Sequence, residues 1–297
     1  MSQSRDGGGG TLPGHRVRAR NLARYSANKI HDDTVARTYG FAGGLVAGTT
    51  VYAYMTAPLV RAWGLDWLGR GTGRLALHHP VYDGEEVTVE ARVVGRSGAE
   101  AAGEVVAEVT ALGPRGAVAS LVAGLGWGGP PVMPDPVGYP AAALPGTRRP
   151  ASAEALAVQD ALGSPTLRLD EAETAGYAAD VDDPLPIYRG PEAVAHPGQL
   201  LQQANRALSE NVALGPWVHV ESQVAHCGLA RVGDRLTTRG RVARVFEKKG
   251  HEFVELDLLV VADEGRPILQ VRHLAIYRLA SRPGREPSAA PSRSATG

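Results

Sequence analysis

The strongest constraint on this chain is that its 297 residues state one structural plan twice. In the first half an apolar stretch over about 44–63, with Val51, Met55, Leu59 and Ala62 at helical spacing, reads as a long helix. Four strand-like runs follow at 73–77, 86–96, 101–112 and 117–127. Asp83-Gly84, Ser97-Gly98 and Gly113-Pro114 mark the turns between them. Pro58, inside the helix, is expected to kink it. The second half repeats the order. A helix over 197–211 opens on Pro197, where a missing N–H costs nothing, and carries Leu200, Leu201, Ala204 and Leu208 on one face. Strands are expected at 219–225, 234–247, 252–262 and 268–279, with turns at Lys249-Gly250 and 263–267. The alternation from Arg235 to Val242 suits a sheet with one buried face. The expected class is therefore α+β, each half a long helix wrapped by an antiparallel sheet.

These units are placed at 15–128 and 174–280, joined by a connection over 129–173 that is dense in Pro and Gly at its start and holds one short helix. The tails at 1–14 and 281–297 are polar and rich in Gly, Pro, Ser or Arg, and are expected to be disordered. With 43% apolar residues the chain can fill two cores of ordinary size. Lys and Arg total 31, as do Asp and Glu. No global field therefore favours nucleic acid or an anionic membrane. Cys227 is the only cysteine, which excludes an intramolecular disulfide and a thiolate-rich metal site and fits a reducing cytoplasm. No leader is expected at the N-terminus, and no apolar run approaches the ~20 residues of a spanning helix.

Chemistry concentrates in Tyr25-Ser26-Ala27-Asn28-Lys29-Ile30-His31-Asp32-Asp33, followed by Ala36, Gly40-Phe41 and the glycines Gly43, Gly44 and Gly48 before the first long helix. This segment resembles the site of MaoC-like hydratases and dehydratases, whose pattern is Asp-x-Asn-Pro-x-His, then Ala, Gly-Phe and a His-Gly turn opening an apolar helix. The resemblance implies a tandem, or double, hotdog fold. It also implies a substrate that is an acyl thioester of coenzyme A or of the phosphopantetheine of an acyl-carrier protein, with no bound cofactor. By the same resemblance His31 is the acid/base, and Asn28 orients water or thioester. Gly48, with Gly44 and Ala47, supplies backbone donors to the developing enolate oxygen, because the first N–H groups of a helix are unpaired and its dipole favours negative charge. Ser26 stands where the family has its catalytic Asp. A hydroxyl cannot serve as a base near neutral pH, although it can hold a water. Asp33 is expected to cap a helix starting near Thr34.

The second half carries an eroded copy. Asp183-Pro184-Leu185-Pro186-Ile187-Tyr188 keeps the Asp, replaces the Asn with Leu185 and the His with Tyr188, and His196-Pro197-Gly198 stands for the His-Gly turn. Pseudo-twofold symmetry would put the two copies in separate sites, so Asp183 is not expected to complete His31. His78-His79, His226 and His273 are read as structural, as is Cys227 beside His226, because neighbouring strand residues face opposite sides. No spacing fits a metal site, and no nucleophile elbow, dinucleotide fingerprint or P-loop is present. Tyr52, Tyr54 and Met55 could line a pocket or fill the core. Arg16, Arg20, Arg24 and Arg272 are equally open as partners of a coenzyme A phosphate. Three functions stand: a 3-hydroxyacyl/trans-2-enoyl thioester hydratase or dehydratase, another acyl-thioester reaction such as hydrolysis, and a non-catalytic thioester-binding subunit. A monomer or a homodimer is compatible with an internal tandem.

Overall fold

The computed structural model describes residues 10–97, 104–126, 133–157 and 161–280. The first half runs β1 (His15–Arg18), α1 (Asp33–Thr38), α2 (Gly48–Arg70), β2 (Thr72–Leu77), β3 (Glu86–Ser97), β4 (Glu104–Gly113) and β5 (Gly116–Gly126). The connection holds β6 (Arg149–Pro150), α3 (Ala153–Ala157), β7 (Thr166–Arg168) and α4 (Glu171–Asp180). The second half continues with α5 (Pro197–Ser209), β8 (Val212–Ala213), β9 (Val218–His226), β10 (Arg235–Lys248), β11 (His251–Val261) and β12 (Pro267–Arg278).

Ten strands join in one antiparallel sheet of order β1-β3-β4-β5-β2-β9-β12-β11-β10-β7, while β6 and β8 form a small parallel pair. The halves meet at β2 and β9, paired from Thr72 with Ala225 to Ala76 with Glu221. Every strand of the two expected meanders is present, so α+β with an antiparallel sheet around each long helix is the observed architecture.

Apolar demand explains the two helices differently. In α2 every residue from Thr49 to Val60 is buried, so this helix is wrapped on all sides rather than amphipathic. In α5 Leu200, Leu201, Ala204, Ala207 and Leu208 are buried while the opposite face is polar. Each fully buried Leu or Met of this core contributes on the order of 1.5–3 kcal/mol. Tyr52, Tyr54 and Met55 are at most 1% exposed and belong to it. The helices approach closely at Gly198, where a Cβ would lie 2.6 Å from Cβ of Ala53.

The expected kink at Pro58 is not where α2 breaks. The helix runs through Pro58, and its one non-helical residue is Gly64, at φ 55° and ψ −141°. A positive φ is cheap for glycine, and this break follows the end of the continuously buried stretch. The tail expected over 1–14 is also shorter than read. Leu12 N–H donates to Ala91 O at 2.8 Å and Thr11 bridges Arg92, extending the β1 edge. Residues 1–9 and 281–297, the Ser97-Gly98 turn beyond Ser97, and Trp127 lie outside the described residues. In the connection, β7 and α4 add to the one short helix expected there. Asp170 caps α4 by accepting from the N–H groups of Ala172 and Glu173.

Matching hydrogen bonds relate the halves residue by residue. Leu45 N–H donates to Ile30 O and Val46 N–H to Val81 O; Val194 N–H donates to Ile187 O and Ala195 N–H to Ala230 O. His31 thus corresponds to Tyr188, Asn28 to Leu185, and Gly48 to Pro197.

Candidate active site

The loop before α1 is pinned at three points. Asn28 starts a 3-10 turn over Lys29–His31, with its Oδ1 accepting from Ile30 N–H at 3.3 Å. Asp32, not Asp33, caps α1, accepting from Thr34 and Val35 N–H at 2.9 Å. Asp33 instead accepts the Gly44 N–H at 2.8 Å, and this bond holds its carboxyl below the usual range. A side chain cannot stand at Gly44, because its Cβ would lie 2.1 Å from His31 O. Gly44 therefore buckles the loop beneath His31. Its N–H is consumed by Asp33 and it lines neither cavity described below, so it is not the oxyanion donor expected of it. After α1 a positive φ of 89° at Gly40 turns the chain and delivers Phe41 to a cavity.

His31 has its two ring nitrogens in different settings. Nδ1 lies 2.7 Å from Leu45 O, so it carries the proton and donates. Nε2 carries no proton and accepts a long hydrogen bond, 3.4 Å, from Nδ2 of Asn28. Burial lowers the pKa of His31, against the pull of Leu45 O, and keeps the ring neutral near pH 7. Asn28 is held in turn by the second half: Nδ2 donates to Trp217 O at 2.9 Å and Oδ1 accepts Trp217 N–H at 3.2 Å.

His31 and Asn28 stand between two cavities, with Ala47, Asn205 and Trp217 common to both. One, of about 240 Å³, is walled by apolar side chains including Phe41, Leu45, Val51, Leu77 and Ile276, and Gly48 reaches it. The other, of about 250 Å³, is bordered by Ser26, Gln202, Arg148 and Arg206. Gly48 is the first residue of α2, so its N–H is one of the donors without an intrahelical partner. An unprotonated imidazole nitrogen, an open helix N-terminus, an apolar chamber and an arginine-bearing chamber thus meet in one region. Ser26 borders only the second chamber, and its hydroxyl donates to Asn28 O at 3.3 Å. It has the position of the missing Asp without the charge.

The site residues of the second copy are buried. Asp183, Tyr188 and His196 are at most 1% exposed and line neither cavity. His196 Nε2 faces Asp183 Oδ2 at 3.4 Å, while its Nδ1 caps α5 by accepting Gly198 N–H. Burial raises the Asp183 carboxyl, but His196, the Leu185 N–H and Arg61 together outweigh it and leave the acid below the usual range. Burial drives the Tyr188 phenol far the other way. Pro197, at the position of Gly48, has no N–H to offer a ligand.

Several residues here had no signal in the sequence. Trp217, Asn205 and His219 reach the site from the second half, and Arg148 comes from the connection. His78 and His79, read as structural, line the apolar chamber, with His78 Nε2 2.9 Å from Ser120 Oγ. Arg16, Arg20, Arg24 and Arg272 line neither chamber and pair instead with Glu86, Asp180, Asp83 and Glu255. Cys227 is buried, and burial raises its thiol. Among the described residues no group of three or more His, Cys, Asp or Glu could hold a metal ion, and no helix is long and apolar enough to cross a membrane.

No protein-family model matches the sequence, and no curated protein matches it. Solved structures do. A protein from Chloroflexus aurantiacus described as a MaoC domain dehydratase is 12% identical, with 92% of this chain and 96% of that one covered at a TM-score of 0.64. A Mycobacterium tuberculosis protein described as having a double hotdog fold is 17% identical over 90% and 96% of the chains, at 0.59. A Lactobacillus plantarum protein described as an oleoyl thioesterase is 12% identical over 92% and 98%, at 0.51. The fold is the double hotdog.

Proposed function

We propose that this double hotdog acts on acyl thioesters as a hydratase or dehydratase, interconverting 3-hydroxyacyl and trans-2-enoyl thioesters of coenzyme A or a carrier protein. The observation that carries the reading is the junction of the two chambers, lined by both His31, whose Nε2 is unprotonated and held by Asn28, and Asn28 itself, with the free helix N-terminus at Gly48 on the apolar side. The acyl chain would occupy the apolar chamber and the pantetheine arm the chamber bordered by Arg148.

Without an acid at Ser26, one imidazole must serve both half-reactions. In dehydration the His31 Nε2 lone pair takes the proton from C2, and the electron pair moves into the thioester carbonyl as an enolate whose oxygen accepts from Gly48 N–H. The enolate then collapses, the C3–O bond breaks, and the Nε2 proton leaves with the hydroxyl as water. His31 ends as it began. Hydration is the reverse, and Asn28, fixed by Trp217, holds the imidazole or the water in line. Leu45 O stabilises the transient imidazolium through Nδ1.

Thioester hydrolysis is the second reading, since His31 could instead activate a water at the carbonyl and a thioesterase shares this fold. A panel of trans-2-enoyl-CoA and acyl-CoA substrates separates the two. Loss of enoyl absorbance without thiol release supports hydration, and thiol release alone supports hydrolysis. Saturable binding with neither signal would replace both by a binding role.

A further inference from the structure

Gly48 opens α2 opposite a side chain outside the motif. A Cβ built on Gly48 would lie 2.7 Å from Nδ1 of His219, so that nitrogen packs close to the first residue of the helix, and both residues line the apolar chamber. His219, at the start of β9, is 6% exposed and lines the apolar chamber. Its Nδ1 has no hydrogen-bond partner. The rest of the ring is held firmly: Nε2 is 2.8 Å from Ser222 Oγ, which is 2.9 Å from Nδ1 of His273. His273 is fully buried and stacks on His219 with centroids 4.3 Å apart.

A serine hydroxyl has one proton to give and can accept from both rings, so this relay allows more than one arrangement. In one, His273 Nδ1–H donates to Ser222, Ser222 donates to His219 Nε2, and the His219 proton sits on Nδ1 facing Gly48. The others put the His219 proton on Nε2, donating to Ser222, and leave Nδ1 without one. In the first arrangement the His219 Nδ1–H has no acceptor within the protein, and because His219 lines the apolar chamber a ligand oxygen there can supply one, whereas His273 lines neither chamber. Burial also pushes His219 down to about 4, which keeps it neutral at neutral pH. A neutral imidazole N–H can polarise a carbonyl without taking the C2 proton itself.

We propose that His219 Nδ1–H and the backbone N–H of Gly48 form one oxyanion hole built from both halves of the chain, gripping the thioester carbonyl oxygen while His31 works at C2. Ser222 and His273 are positioning residues that set the His219 tautomer. The proposal rests on the acyl-thioester reading and gives it a second side chain, at the carbonyl oxygen. A Cβ at Gly48 would meet Cδ1 of Leu77 at 2.4 Å and crowd the His219 nitrogen. His219 keeps its proton throughout, so no bond is made or broken on it.

Two amide substitutions divide the ring's functions. In His219→Asn the amide nitrogen can stand near the Nδ1 position. In His219→Gln it reaches toward Ser222 and leaves the Nδ1 position empty. The readouts are kcat and KM on trans-2-enoyl-CoA, and the carbonyl stretch of an isotope-labelled saturated acyl-CoA bound to each protein. Wild type should lower the stretch relative to free ligand. The Asn variant should keep most of that shift and turn over within about tenfold of wild type. The Gln variant should lose the shift and about 10²–10³-fold in kcat, with KM little changed. Ser222→Ala should reduce both shift and kcat by less. A folded Gln variant with the wild-type shift and kcat would overturn the proposal. So would equal loss of activity in both amide variants with the shift retained, which would make His219 a base. If neither amide variant folds, an unchanged carbonyl shift in Ser222→Ala overturns it and a reduced shift supports it. Failure of wild type to bind any acyl-CoA would remove the acyl-thioester reading itself.

Discussion

Asn28 is hydrogen-bonded through both ends of its amide to the backbone of Trp217, 189 residues later in the chain. One side chain of the motif thereby fastens the first half's loop to the strand entrance of the second. Asn28→Ala leaves the Trp217 N–H and C=O without these partners, a cost of about 1–3 kcal/mol. It also frees His31 Nε2 from its neighbour. Thermal denaturation should show a lower midpoint, and kcat/KM on an enoyl thioester should fall by more than any change in KM. Unchanged values in both assays would mean that the clamp is incidental.

Gly48 and Gly44 should fail differently. A Cβ at Gly48 would sit 2.4 Å from Cδ1 of Leu77 and 2.7 Å from Nδ1 of His219, whereas one at Gly44 would strike the backbone of His31. Leu77 is a flexible end that can move, so Gly48→Ala should fold, with a loss of about 1–3 kcal/mol from overpacking, yet lose most of its turnover. Gly44→Ala should lose more stability than Gly48→Ala. Urea titration beside steady-state kinetics reads both; the reverse order of stabilities would contradict the packing described.

Arg148 reaches the polar chamber while its Nη1 donates to Ser209 O, and its side chain is exposed. Arg206 is already bound to Glu210, Gln203 and Thr166. Arg148→Ala should therefore raise KM for a coenzyme A thioester without lowering kcat. The same substitution should leave KM unchanged for a truncated thioester that lacks the phosphates, and the effect on coenzyme A substrates should shrink with added salt. Equal effects on both substrates would remove Arg148 from phosphate binding.

Acid should destabilise the fold through its buried histidines. Burial lowers His219 and His226 to about 4, and His15, His31, His196 and His273 are lowered as well. Above the unfolded value near 6.5 both states are neutral and stability is full. Below it the unfolded chain takes up protons that the folded chain refuses, so stability falls as pH drops toward the folded values. For His219 and His226 the loss is on the order of 2 kcal/mol each between pH 7 and pH 5. The urea midpoint should drop accordingly; a flat midpoint over that range would contradict the burial of these rings.

The strands and both long helices were legible because alternation and helical spacing are local. The break in α2 was not: Pro58 is the louder local signal, but the helix passes it inside the buried stretch and turns at Gly64 instead. At the site, His31, Asn28, Ala47 and Gly48, all named from the motif, line one cavity. Gly44 was misread because its N–H faces Asp33, a loop closure that no spacing rule shows. Trp217 and His219 carried no sequence signal, since they enter through the β2–β9 junction rather than through the motif. The erosion of the second copy was readable in Leu185 and Tyr188. Its sealing behind Pro197 and a buried Asp183–His196 pair needed coordinates.

The central claim is that His31 moves the C2 proton. Trans-2-enoyl-CoA incubated in deuterium oxide with wild-type protein should give a 3-hydroxyacyl product carrying one deuterium at C2. His31→Ala, still folded, should form it at least about 10²-fold more slowly. Deuterated product formed equally fast by the variant would contradict the account.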